Sequence, residues 1–187
     1  MVSENCRRFT SGSGGSTARL GVMENEPVPE LVDAIAEAAR QAIAELRTEH
    51  PEEFCVYALV TVGEALRPYL TVSVHGDGRW DLADSPYAMA GDELLARTAP
   101  LFEARGELHK MDAETADREY RARLASMEEA LRRLDDGGLF GAGAERGRVL
   151  LLVATMPPDE TDAGFARRLN PPGPLLDAWL AEAAEGA

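Results

Sequence analysis

The sequence predicts an α+β fold, in which helices flank a central sheet that is mainly antiparallel or, as the alternative, mixed. Two apolar segments, Phe54–Val62 and Arg148–Met156, have the length and unbroken hydrophobicity of buried strands. Long helical patterns precede both segments. Elements of both kinds in one short chain indicate helices packed on a single sheet.

Length and composition favour one domain. The chain has 187 residues, of which 45% are hydrophobic, and this suffices for one sizeable core. Residues 1–23 are polar, aperiodic and rich in Gly and Ser, so we expect a disordered leader there and a single α+β domain over residues 24–187. The pattern typical of a folded domain begins at Met23, so we keep Met23 as an alternative start of translation.

The first half contains one helix and a hairpin. Between Pro29 and about Thr48, apolar residues recur along one helical face, and Pro29 suits a first turn. After the strand at 54–62, Tyr69–His75 alternates apolar and polar residues, which predicts a half-buried strand. The short connection between the two favours an antiparallel hairpin.

The second half is more irregular. Residues 76–92 resemble a loop with a short strand near Trp80, and the helical pattern that follows should be split at Pro100. Asp117–Leu134 has the apolar stripe of an amphipathic helix. A final helix is expected from about Pro174.

Acidic charge is concentrated in two blocks of the chain. The net charge is −14, from 33 acidic and 19 basic residues. Residues 24–53 hold nine acids and two bases, and residues 81–116 hold eight acids and three bases. This balance argues against nucleic-acid and anionic-membrane partners, and it is compatible with a basic protein partner. The simpler interpretation is two solvated helix faces.

Cysteine usage and hydropathy predict a cytoplasmic protein, for which we expect a monomer or a homodimer. Its two cysteines, Cys6 and Cys55, make no disulfide framework, and Cys55 lies in a predicted core strand. No apolar stretch is long enough to span a bilayer, and no secretory signal follows the first residues.

The glycines at 141, 143 and 147 do not predict a phosphate site. A phosphate-binding loop lies after a strand and before a helix, whereas here the order is helix, glycines, strand. A helix C-terminus presents partial negative charge, which repels phosphate. We therefore expect Gly137 or Gly138 in a left-handed cap, followed by a surface turn, and no cofactor.

Two loop features are candidate sites. Trp80 and Tyr87 flank an acidic loop containing Asp81 and Asp84, and aromatic loop residues can anchor a protein partner, although Trp80 could instead cover the sheet edge. His75, Asp77 and Asp81 lie close enough in sequence to meet at one metal ion, or to form an ordinary hairpin end. No nucleophile motif is present, so no catalytic residue is assigned.

Three short motifs carry a family resemblance. They are Phe54 with Tyr57, the segment from Leu134 to Gly141, and Leu169-Asn170-Pro171. Over roughly residues 29–175 the chain resembles the uncharacterised bacterial domain-of-unknown-function family 4303. The resemblance implies no known reaction and no catalytic residues. By analogy of architecture and charge, such small acidic families are similar to SUKH-type immunity proteins.

These observations favour a cytoplasmic protein-binding module, in its specific form an immunity-type inhibitor of a basic bacterial toxin. One alternative is a small metal-binding protein or hydrolase that uses His75, Asp77 and Asp81. Another is a housekeeping protein whose acidic surface only provides solubility.

Overall fold

The computed structural model describes residues 26–184 and confirms an α+β architecture. The strands are β1 (Phe54–Val62), β2 (Tyr69–Val74) and β3 (Leu150–Met156). The helices are α1 (Pro29–Glu49), α2 (Asp92–Ala96), α3 (Ala99–Glu103), α4 (Ala113–Asp136), α5 (Thr161–Leu169) and α6 (Pro174–Glu182). The leader expected at residues 1–23 lies outside the described residues.

The sheet is mixed, in the order β2-β1-β3. The central strand β1 pairs antiparallel with β2, as the hairpin prediction requires, and parallel with β3. Ala58, for example, lies opposite Thr71 on one side and Leu152 on the other. Because β1 and β3 run in the same direction, both strands begin at the same end of the sheet.

The helices α1 and α4 cover one face of the sheet, which we call the first face. The strand residues that join its apolar core are almost fully buried: Tyr57, Leu59, Leu70, Val72, Leu151 and Val153. The short helix α2 packs closely on α1, since a Cβ atom at Gly91 would lie only 2.5 Å from the Ala42 Cβ. The φ of +61° at Gly91 also suits glycine best.

The opposite, second face is covered by α6 and by the segment around Trp80. Leu176 and Trp179 of α6 pack with Trp80 against this face. The prediction of a half-buried β2 is therefore wrong: Thr71 and Ser73, expected to meet solvent, are buried under this cover.

Both edges of the sheet are covered by side chains or loops, which protects the edges from pairing with other chains. On β3, the Asn170 side chain accepts from the Leu151 N–H at 2.8 Å and donates to the Leu151 carbonyl at 2.7 Å. On β2, the Val72 N–H donates to the Tyr87 carbonyl at 3.3 Å. A strand near Trp80 was predicted wrongly, because the only bridge of this loop within residues 26–184 is the one at Tyr87.

The other elements follow the sequence pattern with extended or shifted ends. The predicted break at Pro100 is confirmed, since α2 and α3 are separate. The helix α4 begins before Asp117 because the Asp112 carboxylate caps it by accepting from the Thr115 N–H at 3.0 Å. Within the described residues, no helix is long and apolar enough to cross a membrane.

Candidate functional site

A cavity of about 460 Å³ opens at the end of the sheet where β1 and β3 begin. The fold places the last turn of α1 here, because α1 leads directly into β1. It also places the glycine segment here, because that segment connects the end of α4 to β3. We call this opening the strand-start cavity.

The floor of the strand-start cavity is an Arg47–Tyr57 pair. Arg47 donates to the Tyr57 hydroxyl through Nε at 3.0 Å and Nη2 at 2.8 Å, and to the Leu139 carbonyl through Nη1 at 2.8 Å. Its guanidinium also lies over the Tyr57 ring, 5.2 Å from the centroid. Burial raises the pKa of Tyr57, so the phenol accepts these bonds in its neutral form.

The walls of this cavity belong to a continuous chain of aromatic contacts. Centroid distances are 4.9 Å between His50 and Tyr87, 5.1 Å between Tyr87 and Phe54, 6.3 Å between Phe54 and Tyr57, and 5.0 Å between Tyr57 and Phe140. The rings meet at steep angles, a preferred arrangement for aromatic pairs. The cavity is therefore largely pre-formed.

Three carboxylates, those of Glu52, Glu53 and Glu145, line the cavity. A hydrogen bond to its own backbone and one from the Tyr87 hydroxyl, at 2.9 Å, hold the pKa of Glu52 below its usual value. Glu53 lies 3.9 Å from the exposed Arg148, too far for a strong ion pair. Among the described residues, Glu145 forms no salt bridge.

The glycine segment acts as a turn that brings hydrophobic groups to the cavity. Gly138 has a φ of +77°, which confirms the predicted left-handed cap after α4. Arg146 holds the segment in place, because it donates to the Asp135 carboxylate at 2.7 Å and to the carbonyls of Val149 and Leu169 at 2.7 and 2.8 Å. Leu139 and Phe140 consequently face the cavity.

The motifs that carried the family resemblance meet at this site. Phe54, Tyr57 and Phe140 all line the cavity. Asn170 supports it indirectly, since its amide oxygen accepts from Arg146 at 3.3 Å. These residues are far apart in sequence, so their convergence could be seen only once the parallel pairing of β1 and β3 was known.

The predicted partner-binding residues separate into two groups. Trp80 donates to the Glu182 carboxylate at 2.8 Å and stacks under the Arg79 guanidinium at 4.3 Å, so it ties α6 to the second face. Tyr87 packs against the first-face core, next to the strand-start cavity. Asp81 and Asp84 are exposed, and the Asp81 carboxylate accepts from the Asp84 N–H at 3.1 Å. Their role in partner binding stays a prediction.

The metal alternative gains no support from the geometry. Within residues 26–184, no three His, Cys, Asp or Glu side chains are grouped so that they could hold a metal ion. His75 lines the strand-start cavity, whereas Asp77 and Asp81 are exposed in the neighbouring turn and do not line it.

A second opening, of about 870 Å³, lies between α4 and α5. Apart from Glu26, its charged groups are paired with one another: Arg132, for example, donates to Glu128 at 2.8 Å and to Glu129 at 2.6 Å, and Arg168 donates to Glu128 at 2.8 Å. Because these charged groups already bind one another, the strand-start cavity, with its weakly paired carboxylates, is the better candidate for a functional site.

The two acidic blocks become neighbours in the fold. Both α2 and α3, which belong to the second block, pack against α1, the main element of the first. Glu49 of α1, Glu93 of α2 and Glu103 of α3 are exposed and form no salt bridge within the described residues. We call this surface the acidic face; its α1 side leads to Glu52 and Glu53 at the strand-start cavity.

Comparison with known proteins identifies a family and no closer relative. A family model described as "Domain of unknown function (DUF4303)" matches residues 35–171. No curated protein and no solved structure matches the chain.

Proposed function

As the chain belongs to the DUF4303 family, whose description assigns no activity, its own surface must indicate its role, and we propose a protein-binding module for a basic partner. The observation that carries the proposal is the packing of α2 and α3, from the second acidic block, against α1, from the first, with Glu49, Glu93 and Glu103 exposed on these helices. In the sequence these blocks contain seventeen acids and five bases, and all of these residues except Glu24 lie within the described residues. A surface of one sign attracts an oppositely charged partner and accelerates its association.

Exposed apolar side chains in the second acidic block and in the β1–β2 turn that binds it support binding rather than solubility alone. Val62, Leu66, Met89 and Leu101 are large, apolar and exposed, and all lie between residues 62 and 101. Protein interfaces commonly combine apolar contacts at the centre with a polar rim.

A salt bridge holds the β1–β2 turn beside α2. Arg67 donates to both carboxylate oxygens of Asp92, at 2.7 and 3.2 Å. Glu64 of the same turn lies 3.6 Å from His109. Val62 and Leu66, at this turn, are thereby held near the second acidic block.

The specific form of the proposal is an immunity-type inhibitor of a basic bacterial toxin. A nucleic-acid-cleaving toxin must present a basic surface to its substrate, and an acidic face could cover that surface. The partner would then be encoded beside the gene of this chain, which makes the product of the adjacent gene the first protein to test.

The experiment measures the affinity of the full chain for that gene product across a salt series. The test variant carries Glu49→Gln, Glu93→Gln and Glu103→Gln on the acidic face. The matched control carries Asp136→Asn, Glu160→Gln and Asp177→Asn, which are exposed acids outside both blocks. We expect the wild type and the control to bind with an affinity that falls as salt rises, and the test variant to bind more weakly with a smaller salt dependence.

Equal affinity of the test and control variants would contradict the proposed surface. Absence of binding at low salt, both to the adjacent gene product and to basic proteins captured from the host lysate, would contradict the proposed function itself.

A further inference from the structure

We propose that α6 exchanges between two copies of this chain, so that the α6 of one copy covers the second face of the other. The juxtaposition that carries this inference is a short helix on a face with unpartnered polar groups, joined to the domain by an exposed, extended hinge. The acidic face lies on α1, α2 and α3, at the first face, so this inference does not depend on the proposed function.

Few contacts hold α6 in place. Its buried side chains are Leu176 and Trp179, which pack on the apolar core of the second face. At its far end, the Glu182 carboxylate accepts from the Trp80 indole at 2.8 Å, whereas it lies 3.7 Å from the Arg79 guanidinium and is 55% exposed. No side chain caps its N-terminus. Because a helix of nine residues is not stable alone in water, α6 depends on these contacts.

The closed cover leaves polar groups of the second face unsatisfied. Thr71 Oγ1, Ser73 Oγ and Arg79 Nε are buried and have no hydrogen-bond partner among the described residues. Such groups lose their hydrogen bonds to water when the cover closes, and they regain them when it opens. We therefore expect α6 to open more readily than α1 or α4, which cover the first face.

The hinge before α6 consists of Pro171, Pro172 and Gly173. It begins at a fixed point, because the Asn170 side chain is hydrogen-bonded to the N–H and the carbonyl of Leu151. The two prolines are exposed, and the backbone is extended at Asn170 and at Gly173. A Cβ atom at Gly173 would meet no atom within 4 Å. From such an unpacked and extended hinge, α6 can turn toward another molecule.

An opened chain displays two apolar surfaces that fit each other. One is the second face, whose core includes Leu152 and Ala154, and the other is the side of α6 that carries Leu176 and Trp179. Two opened copies cover both surfaces at once by exchanging α6, and this reciprocal exchange closes as a two-fold dimer. The dimer repeats every contact that α6 makes within one chain, and it carries two acidic faces.

The test mixes two forms of the full chain, both with Cys6→Ser, that each carry one new exposed cysteine. One form has Asp81→Cys, next to Trp80, and the other has Ala183→Cys, next to Glu182. The Trp80–Glu182 contact brings these positions together. A short bismaleimide should therefore join residue 81 of one chain to residue 183 of the other only after exchange of α6. We expect this link, identified by mass spectrometry, in a yield that rises with protein concentration.

The matched control replaces the Ala183→Cys form with a Glu37→Cys form. Glu37 is 78% exposed on α1, which covers the other face of the sheet. A link between residues 81 and 37 should be absent at the same concentrations, because exchange of α6 does not bring these two positions together.

Hinge length should set the balance between the closed chain and the exchanged dimer. Deletion of Pro171 and Pro172 hinders α6 from reaching its own face, so it should lower the dissociation constant of the dimer at least about tenfold. Insertion of Gly-Ser-Gly-Ser after Gly173 should raise that constant. Neither variant changes a buried residue, and analytical ultracentrifugation measures both.

Several results would overturn the exchange of α6. They are the absence of the link between residues 81 and 183, a dimer that forms without this link, a shortened-hinge variant that stays monomeric, or equal dissociation constants for the two hinge variants. The salt series with a basic partner is a separate measurement at the acidic face, and its result neither supports nor overturns the exchange.

Discussion

The two faces of the sheet differ in the elements that cover them and in the polar groups that they bury. The first face is covered by the long helices α1 and α4, and the buried hydroxyls of β1 and β3 all have partners: Tyr57 accepts from Arg47, Thr61 donates to the Leu66 carbonyl, and Thr155 donates to Asp162. The second face is covered by the nine-residue α6. Beneath or beside this cover, Thr71 Oγ1, Ser73 Oγ and Arg79 Nε are buried without a hydrogen-bond partner among the described residues.

This difference indicates which face of the sheet is packed with fewer unsatisfied polar groups. The family match ends at residue 171, before α6 begins at Pro174. Of the cover of the second face, α6 therefore lies outside the matched residues and Trp80 lies within them, and contacts of Trp80 and Arg79 with Glu182 hold the far end of α6. Unpartnered buried hydroxyls cost free energy, so we infer that the second face is less well optimised than the first.

The largest expected effect compares neighbouring leucines on opposite faces of β3. Leu151 belongs to the first-face core and Leu152 to the second, and both are almost fully buried. Leu151→Ala should lower the free energy of unfolding by about 4 kcal/mol, and Leu152→Ala by about 2 kcal/mol, because the short α6 can move to fill the space. Urea unfolding measures both, and equal losses would mean that the faces are packed equally well.

A second, smaller effect is the pH dependence of stability that arises from Asp162, a buried carboxyl group that is hydrogen-bonded to Thr155. Asp162 accepts from the Thr155 N–H at 3.1 Å and from the Thr155 hydroxyl at 3.2 Å, at the edge of β3. Burial raises the pKa of Asp162 to about 7, and the nearby Asp159 acts in the same direction. Between about pH 4 and pH 7 the folded state therefore binds more protons than the unfolded state, and stability falls as pH rises.

The measurement is the unfolding free energy of wild type and Asp162→Asn across this pH range. The wild type should lose about 3 kcal/mol relative to the variant between pH 4 and pH 7, since each pKa unit is worth about 1.4 kcal/mol. Asparagine keeps an oxygen acceptor for Thr155 and does not titrate. Parallel stability curves for the two proteins would show that the carboxyl is not perturbed in this way.

Many helices and strands could be predicted, because local sequence patterns determine where they begin and end. The bounds of β1 and the beginning of α1 follow from apolar runs and from Pro29. The burial of Thr71 and Ser73 could not be predicted, because an alternating pattern describes one strand and not what covers it. The helix α5 was also missed, since its pattern is short: its N-cap residue Glu160 makes no side-chain cap, and the Asp159 carboxylate, one residue earlier, accepts from the Thr161 N–H at 2.8 Å instead.

The candidate site was predicted only in parts. Tyr87 and His75 were singled out within one loop, and Phe54, Tyr57 and the glycine segment within short motifs. The parallel pairing of β1 and β3 brings these groups together around Arg47, which no local pattern marked. The sequence stretches that meet here are separated by most of the domain, so their proximity is a property of topology.

The smallest expected effect has the opposite sign and tests the second face directly. Thr71→Val replaces an unpartnered buried hydroxyl with a methyl group of similar shape. Valine suits a strand, and the substitution removes no hydrogen bond here. It should therefore raise the free energy of unfolding by about 1 kcal/mol relative to the wild type.

The matched control is Thr61→Val on β1. Thr61 is equally buried, but its hydroxyl donates to the Leu66 carbonyl at 2.7 Å. Loss of that bond should destabilise the protein by about 1 kcal/mol. Opposite signs for the two substitutions, measured by urea unfolding, would establish that the second face retains polar groups at a cost. A destabilising Thr71→Val would instead show that this hydroxyl has a partner in solution, and the contrast between the two faces would then rest on the leucine pair alone.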